Sequence, residues 1–86
     1  MKQYLVEFAG TLAFVFVVLW TGDPLAIGAM FGSLMYVFGK KSVVAFNPAV
    51  SIALYFNKKL SLKDSLLYVV LEIVAGIAAF LLYKLK

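Results

Sequence analysis

Three residues in this chain have chemistry to offer amid hydrocarbon: Asn47, Glu7 and Glu72. Asn47 stands directly before Pro48 and the short apolar run Ala49-Val50-Ser51-Ile52-Ala53-Leu54-Tyr55-Phe56. An asparagine in that position caps a helix, because its side-chain oxygen takes a first-turn N–H and leaves the amide NH2 as a free donor. Pro48 suits the first helical position, where its missing N–H would have had no intrahelical partner. The free first-turn N–H groups and the aligned peptide dipoles add roughly half a positive charge at such a tip. A tip of this kind donates to the oxygen of a passing water or alcohol and repels cations and hydronium. A capped helix start with no pore uses the same residues and is the simpler reading of Asn47 taken alone. Glu7 and Glu72 lie inside apolar runs, where ionisable residues are costly and mark functional positions. For Glu7 the plain alternative is an interfacial carboxylate little more than a turn from Lys2.

Other chemistry is excluded by residues the chain lacks. It has no cysteine and no histidine, which removes thiol chemistry, disulfides, imidazole catalysis and most transition-metal sites. No nucleophile is paired with a base, so neither an enzyme, a cofactor nor a metal site is expected. The net charge of +4 comes from eight basic residues, all of them lysine. They flank apolar segments, the placement of topology and interface anchors rather than of a nucleic-acid surface. Of the 86 residues 65% are hydrophobic, and the mean hydropathy is +1.04. A soluble domain this small buries only about 60% of its unfolded surface and could not hide so much apolar area. The composition therefore points to an integral membrane protein of one domain. A cleaved signal peptide fits the start poorly. The run from Tyr4 to Trp20 is long for one, carries Glu7, and lacks a small-x-small site before Gly22.

The elements that must position these residues are marked by caps and lysines. A first span is predicted over 3–21, ending near Trp20 as an interfacial aromatic. Asp23-Pro24 is an N-cap and first-turn proline, opening a second, short span over 24–39. Its Gly28 and Gly32, four apart, make a face for close helix contact, as do Gly10 in the first span and Gly76 in the last. Residues 40–57 hold the Asn47-Pro48 start, and the helix it opens reaches water again at Asn57-Lys58-Lys59. Nine residues cover only about 13 Å, less than half of the hydrocarbon core of about 30 Å. Lysines at both ends must lie in water, so the segment dips in and returns to the same side. Irregular backbone at that depth is tolerated only where protein covers it or it lines a watery cavity. Ser61-Leu62-Lys63-Asp64 reads as a capping box opening a final span over 62–83, in which Ala75, Gly76, Ala78 and Ala79 form a small-residue patch. The fold class expected is an all-α membrane protein with three transmembrane helices and one re-entrant half-helix.

Phe46-Asn47-Pro48-Ala49-Val50 resembles the first re-entrant loop of the aquaporin and glycerol-facilitator (major intrinsic protein) family. Glu7-Phe8-Ala9-Gly10-Thr11 is similar to the Glu-x-x-Gly-Thr of that family's first helix. Tyr68, Glu72 and Gly76 resemble its third. The resemblance covers the chain but only half of a family member, since members carry two inverted three-helix halves. It implies a passive channel for water or small neutral solutes such as glycerol. The pore would form where two Asn-Pro-Ala tips meet, with Pro48 and Ala49 touching the opposing tip. It also implies that Glu7 braces the re-entrant loop by accepting backbone N–H bonds. Val50 stands where the family's second loop usually has arginine. With no Arg or His in the chain, two copies would build a less positive and wider filter. Glu72 replaces a typical glutamine, and two readings stand for it: a neutral acid, or an acceptor for loop backbone. Ser42-Val43-Val44-Ala45 replaces a stretch of smaller residues in the family's loop.

One half cannot close a pore. The expected partner is a second copy in inverted orientation, a homodimer that could cluster as a tetramer of pores, or else a separate complementary half. The homodimer stands slightly ahead because the chain opens on Met1 and ends in Lys84-Leu85-Lys86. Lys2, Lys40, Lys41, Lys58, Lys59 and Lys63 fall on one side, Lys84 and Lys86 on the other. That bias predicts a fixed orientation with the N-terminus cytoplasmic, in the cell membrane, and it weighs against the homodimer. Two competing functions remain. One is a proton-coupled small exporter cycling protons on Glu7 and Glu72; the other is a nonconducting half that pairs with another chain of the family. The surrounding partner in every case is the lipid bilayer.

Overall fold

The computed structural model describes residues 2–40 and 43–86; Lys41 and Ser42, which the sequence marks as a water boundary, lie outside them. Four helices follow one another: α1 over Lys2–Thr21, α2 over Pro24–Phe38, α3 over Pro48–Phe56 and α4 over Leu62–Leu85. Each start after α1 is written in a cap. Asp23 accepts from the Ala26 N–H at 3.1 Å, Asn47 from Ala49 at 2.8 Å and Ser61 from Asp64 at 3.1 Å. Proline opens both α2 and α3. Gly22 takes a φ of 66°, the left-handed conformation that glycine supplies without steric cost, and so turns α1 into α2 within two residues.

The capping box expected at the start of α4 forms only by half. Ser61 caps the Asp64 N–H, but the Asp64 carboxylate accepts from the Tyr4 hydroxyl of α1 instead of reaching back. The tie holds the first turns of α1 and α4 at one level. Phe16 meets Tyr83 at 6.4 Å, and the Lys86 ammonium lies over the Trp20 ring at 4.6 Å, so the far ends match too. Helices α1 and α4 therefore run parallel. Both are long and apolar enough to cross a membrane; α2, with 15 residues, is shorter.

Packing is uneven. Helix α4 lies against α1 along its length and against α3, while α2 rests on α1 alone among the helices. Phe14 and Phe31 make the α1–α2 seam, with ring centroids 5.0 Å apart. The buried stripe of α4 is Ser65, Tyr68, Glu72, Ala75 and Ala79, spaced by three and four as one helix face requires. Most large side chains of α4 outside that stripe are exposed, among them Leu66, Val70, Ile73, Ile77 and Leu81. An apolar exterior around a polar and small-residue interior is the arrangement that hydrocarbon solvent favours.

Candidate functional site

The site is built around the segment Val43–Asn47. Glu7 is fully buried, and its two carboxyl oxygens accept the backbone N–H groups of Ala45 at 2.8 Å and Phe46 at 2.9 Å. Successive N–H groups of an extended chain point to opposite sides. Both reaching one carboxyl group means that the chain turns here, and Phe46, with φ of 59°, lies in the turn. A bulky residue rarely occupies that left-handed region, at a cost of order 1–3 kcal/mol. Two hydrogen bonds at about 1 kcal/mol net each, with the larger cost of leaving those buried N–H groups unpaired, are enough to hold the turn. Tyr68 completes the brace from α4, donating its hydroxyl to the Val43 carbonyl at 2.8 Å.

The turn delivers the chain to Asn47, which is extended (φ −153°, ψ 128°) and exposed. Its Oδ1 takes the Ala49 N–H, which identifies the other terminal atom as Nδ2 and leaves that donor pointing outward. Ala49 and Val50 are exposed beside it and Pro48 is half-buried, so the tip of α3 is bare in a single chain. Phe46 contacts Gly10, about 12 Å along α1 from Lys2 on a helix about 30 Å long, so the tip lies near the mid-height of α1.

Helix α3 is pinned from α4. The Ser51 hydroxyl, one turn after Asn47, lies 2.9 and 2.8 Å from the two Glu72 oxygens, and Ser65 donates to the Ser51 carbonyl at 2.9 Å. Glu72 is 2% exposed and adjoins Glu7. The Ser51 hydroxyl is a partner that neither sequence reading named, and it leaves both of those readings open. Ser51 and Ser65 are site residues to which the sequence reading gave no role, and Phe46 and Tyr68 entered it only as motif residues. A signal for them existed: Ser65, Tyr68 and Glu72 share one face of α4 at i, i+3 and i+7. Thr11, one turn beyond Glu7, is buried with no hydrogen-bond partner among the described residues.

The glycines singled out by sequence have different settings. A Cβ on Gly10 would overlap the Phe46 ring. Gly28, Gly32 and Gly76 have open space where a Cβ would point, so their small faces turn away from this chain's own helices. In α4 it is Ala75 and Ala79 that are buried instead.

Helices α2 and α3 do not touch, and between them lies a cleft of about 520 Å³ lined by Met35, Gly39, Lys40, Val43, Val44, Leu54 and Lys59. Its lining is largely apolar, and Lys40, whose ammonium lies over the Tyr36 ring at 4.4 Å, and Lys59 belong to it. A trans peptide holds its N–H and C=O antiparallel, so the Val44 carbonyl points away from Glu7. Among the described residues no hydrogen-bond donor reaches that carbonyl.

The profile of the major intrinsic protein family matches residues 19–86. A "Glycerol uptake facilitator protein-like 6" of Lactiplantibacillus plantarum is 40% identical across 92% of this chain and 41% of its own length. An "Aquaporin-5" of Sus scrofa is 35% identical across 99% of this chain and 37% of its own. The chain thus spans about two-fifths of the length of the curated relatives it matches. No solved structure matches it. The chain belongs to the major intrinsic protein family and is an integral membrane protein.

Proposed function

We propose that the chain is one half of a passive conduit for water and small neutral solutes such as glycerol. In this reading α1, α2 and α4 cross the bilayer, and residues 40–57 enter to mid-depth and return to the side they left. The observation that carries it is the short helix α3, which opens at an exposed Asn47 whose approach is clamped by Glu7 and seated against Gly10 near the mid-height of α1. A helix of nine residues in an otherwise spanning bundle has no use for such an anchor unless its tip has work to do.

The chemistry follows from the tip and the cleft. The Asn47 NH2 donates to a solute oxygen, and the helix dipole behind it opposes cations. The Val44 carbonyl offers an acceptor on the way in, and the apolar wall from Met35 to Leu54 supplies no competing charge. A solute with both donors and acceptors, such as water or a small polyol, exchanges its hydration at these points. The bare tip and the open α2–α3 cleft call for a second half, supplied by an inverted copy of this chain or by a complementary half. If the second half is a copy of this chain, the filter has no Arg or His and is less positive and wider. Proton-coupled export is disfavoured because both oxygens of Glu7 are occupied by loop amides, which leaves it poorly placed to exchange protons with a substrate.

The test is stopped-flow light scattering on vesicles holding only this chain, under water and then glycerol gradients. Wild type is expected to pass at least one with a low activation energy, and Asn47→Asp, which adds a negative charge at the tip, to admit cations. Vesicles that respond no faster than bare lipid would refute a self-sufficient conduit.

A further inference from the structure

We propose that Phe46 is a positioning residue whose ring, seated in a socket at Gly10, sets the depth and heading of the Asn47 tip. The proposal rests on the conduit reading for what the tip does, and on geometry for how the tip is held. Phe46 sits at a φ of 59°, where glycine or asparagine would be the easy choice. The chain nonetheless places a phenylalanine there, and only 1% of it is exposed. The backbone alone gives no reason for that residue, so the reason lies in the ring. On one side the ring lies against the Cα of Gly10: a Cβ built there would stand 2.8 Å from both Cδ1 and Cζ, and nearer still to Cε1. On another side the Phe31 ring of α2 meets it edge-on, with centroids 6.3 Å apart. Phe31 in turn packs on Phe14 of α1.

Phe46 therefore links α2 to the entering segment, although α2 and α3 do not themselves touch. Glu7 fixes the backbone of the turn, and the ring fixes how far the turn advances toward the middle of α1. Asn47 is the next residue, so displacement of the ring moves the amide donor and the first turn of α3 together. A methyl group on Gly10 would force the ring back by roughly 1.5 Å to bring its nearest atom, Cε1, to an ordinary contact of 3.5–4.0 Å. Gly10 is thus a socket rather than a site of helix-to-helix approach, the role its spacing alone suggested.

The experiment compares wild type, Gly10→Ala, Phe46→Gly, Phe46→Leu and the double variant Gly10→Ala/Phe46→Leu in vesicles, with the amount of inserted helical protein matched. The readout is the ratio of cation leak to glycerol or water flux, together with the NMR resonances of the Asn47 side-chain amide. A merely structural role would lower the number of folded molecules and leave that ratio unchanged. Gly10→Ala is expected to raise the ratio several-fold and shift the Asn47 resonances, and the smaller side chain of the double variant to restore both. Phe46→Gly relieves the backbone strain yet is expected to raise the ratio, because the ring is gone. An unchanged ratio in Phe46→Gly, or a double variant no closer to wild type than Gly10→Ala, overturns the proposal. If Gly10→Ala fails to insert, the double variant decides: insertion with wild-type resonances supports the socket, and failure overturns it. A wild type that passes no solute would refute the conduit reading instead, and the Asn47 resonances would still decide this one.

Discussion

Glu7→Gln replaces one oxygen of a buried acceptor pair by an NH2 group of nearly the same size. In wild type both oxygens accept, from Ala45 at 2.8 Å and Phe46 at 2.9 Å. Glutamine keeps one acceptor and points a donor at the remaining N–H. One hydrogen bond, about 0.5–1.5 kcal/mol net, is lost, and a buried N–H is left unpaired at about 1–3 kcal/mol. The net expected destabilisation of the loop is about 2 kcal/mol, near the upper end of a 5–30-fold change in an equilibrium. Hydrogen exchange in micelles or nanodiscs reads it directly: the Ala45 and Phe46 amides should lose protection by about thirtyfold while mid-helix amides of α4 change little. The left-handed turn at Phe46 should relax in step, visible as shifted resonances for Phe46 and Asn47. Protection of both amides within about twofold of wild type, a difference under about 0.5 kcal/mol, would refute the brace.

Other perturbations follow from the same network. Ser51→Ala removes the hydroxyl beside both Glu72 oxygens and should destabilise the α3–α4 contact by about 1–3 kcal/mol, read by denaturant unfolding in detergent. Thr11→Val deletes a buried hydroxyl that has no partner among the described residues, so stability should hold or rise by about 1 kcal/mol in the same assay. Tyr68→Phe strips the donor from the Val43 carbonyl and should cost about 1 kcal/mol, with faster exchange through residues 43–46. Tyr4→Phe frees the Asp64 carboxylate at the α4 start, and amide exchange in the first turns of α1 and α4 should quicken together.

Local rules account for the helix starts, because a cap and a proline act within one turn. Asp23, Asn47 and Ser61 stand at helix starts for that reason, and the lysines beside them mark where apolar runs end. The end of α4 was less legible: Lys84 reads as a stop, yet the helix runs on to Leu85, since a lysine in the last turn suits the helix dipole. The family resemblance rested on spaced motifs, and the family profile matches residues 19–86, which hold Asn47-Pro48-Ala49 and the Tyr68, Glu72 and Gly76 positions.

What the chain determines by itself is therefore an apolar, all-helical molecule, where its helices begin, and an amide at the head of a short one. Those features depend on residues within a turn of each other or on composition. Tertiary structure alone decided which groups answer Glu7 and Glu72, because the Ala45 and Phe46 amides and the Ser51 hydroxyl come from other segments. It also decided that Asp64 serves Tyr4 instead of its own helix start, and that Gly10 receives a ring while Gly28, Gly32 and Gly76 face outward. A carboxylate or a bare Cα states what it can accept, but only the approach of a distant segment supplies the partner.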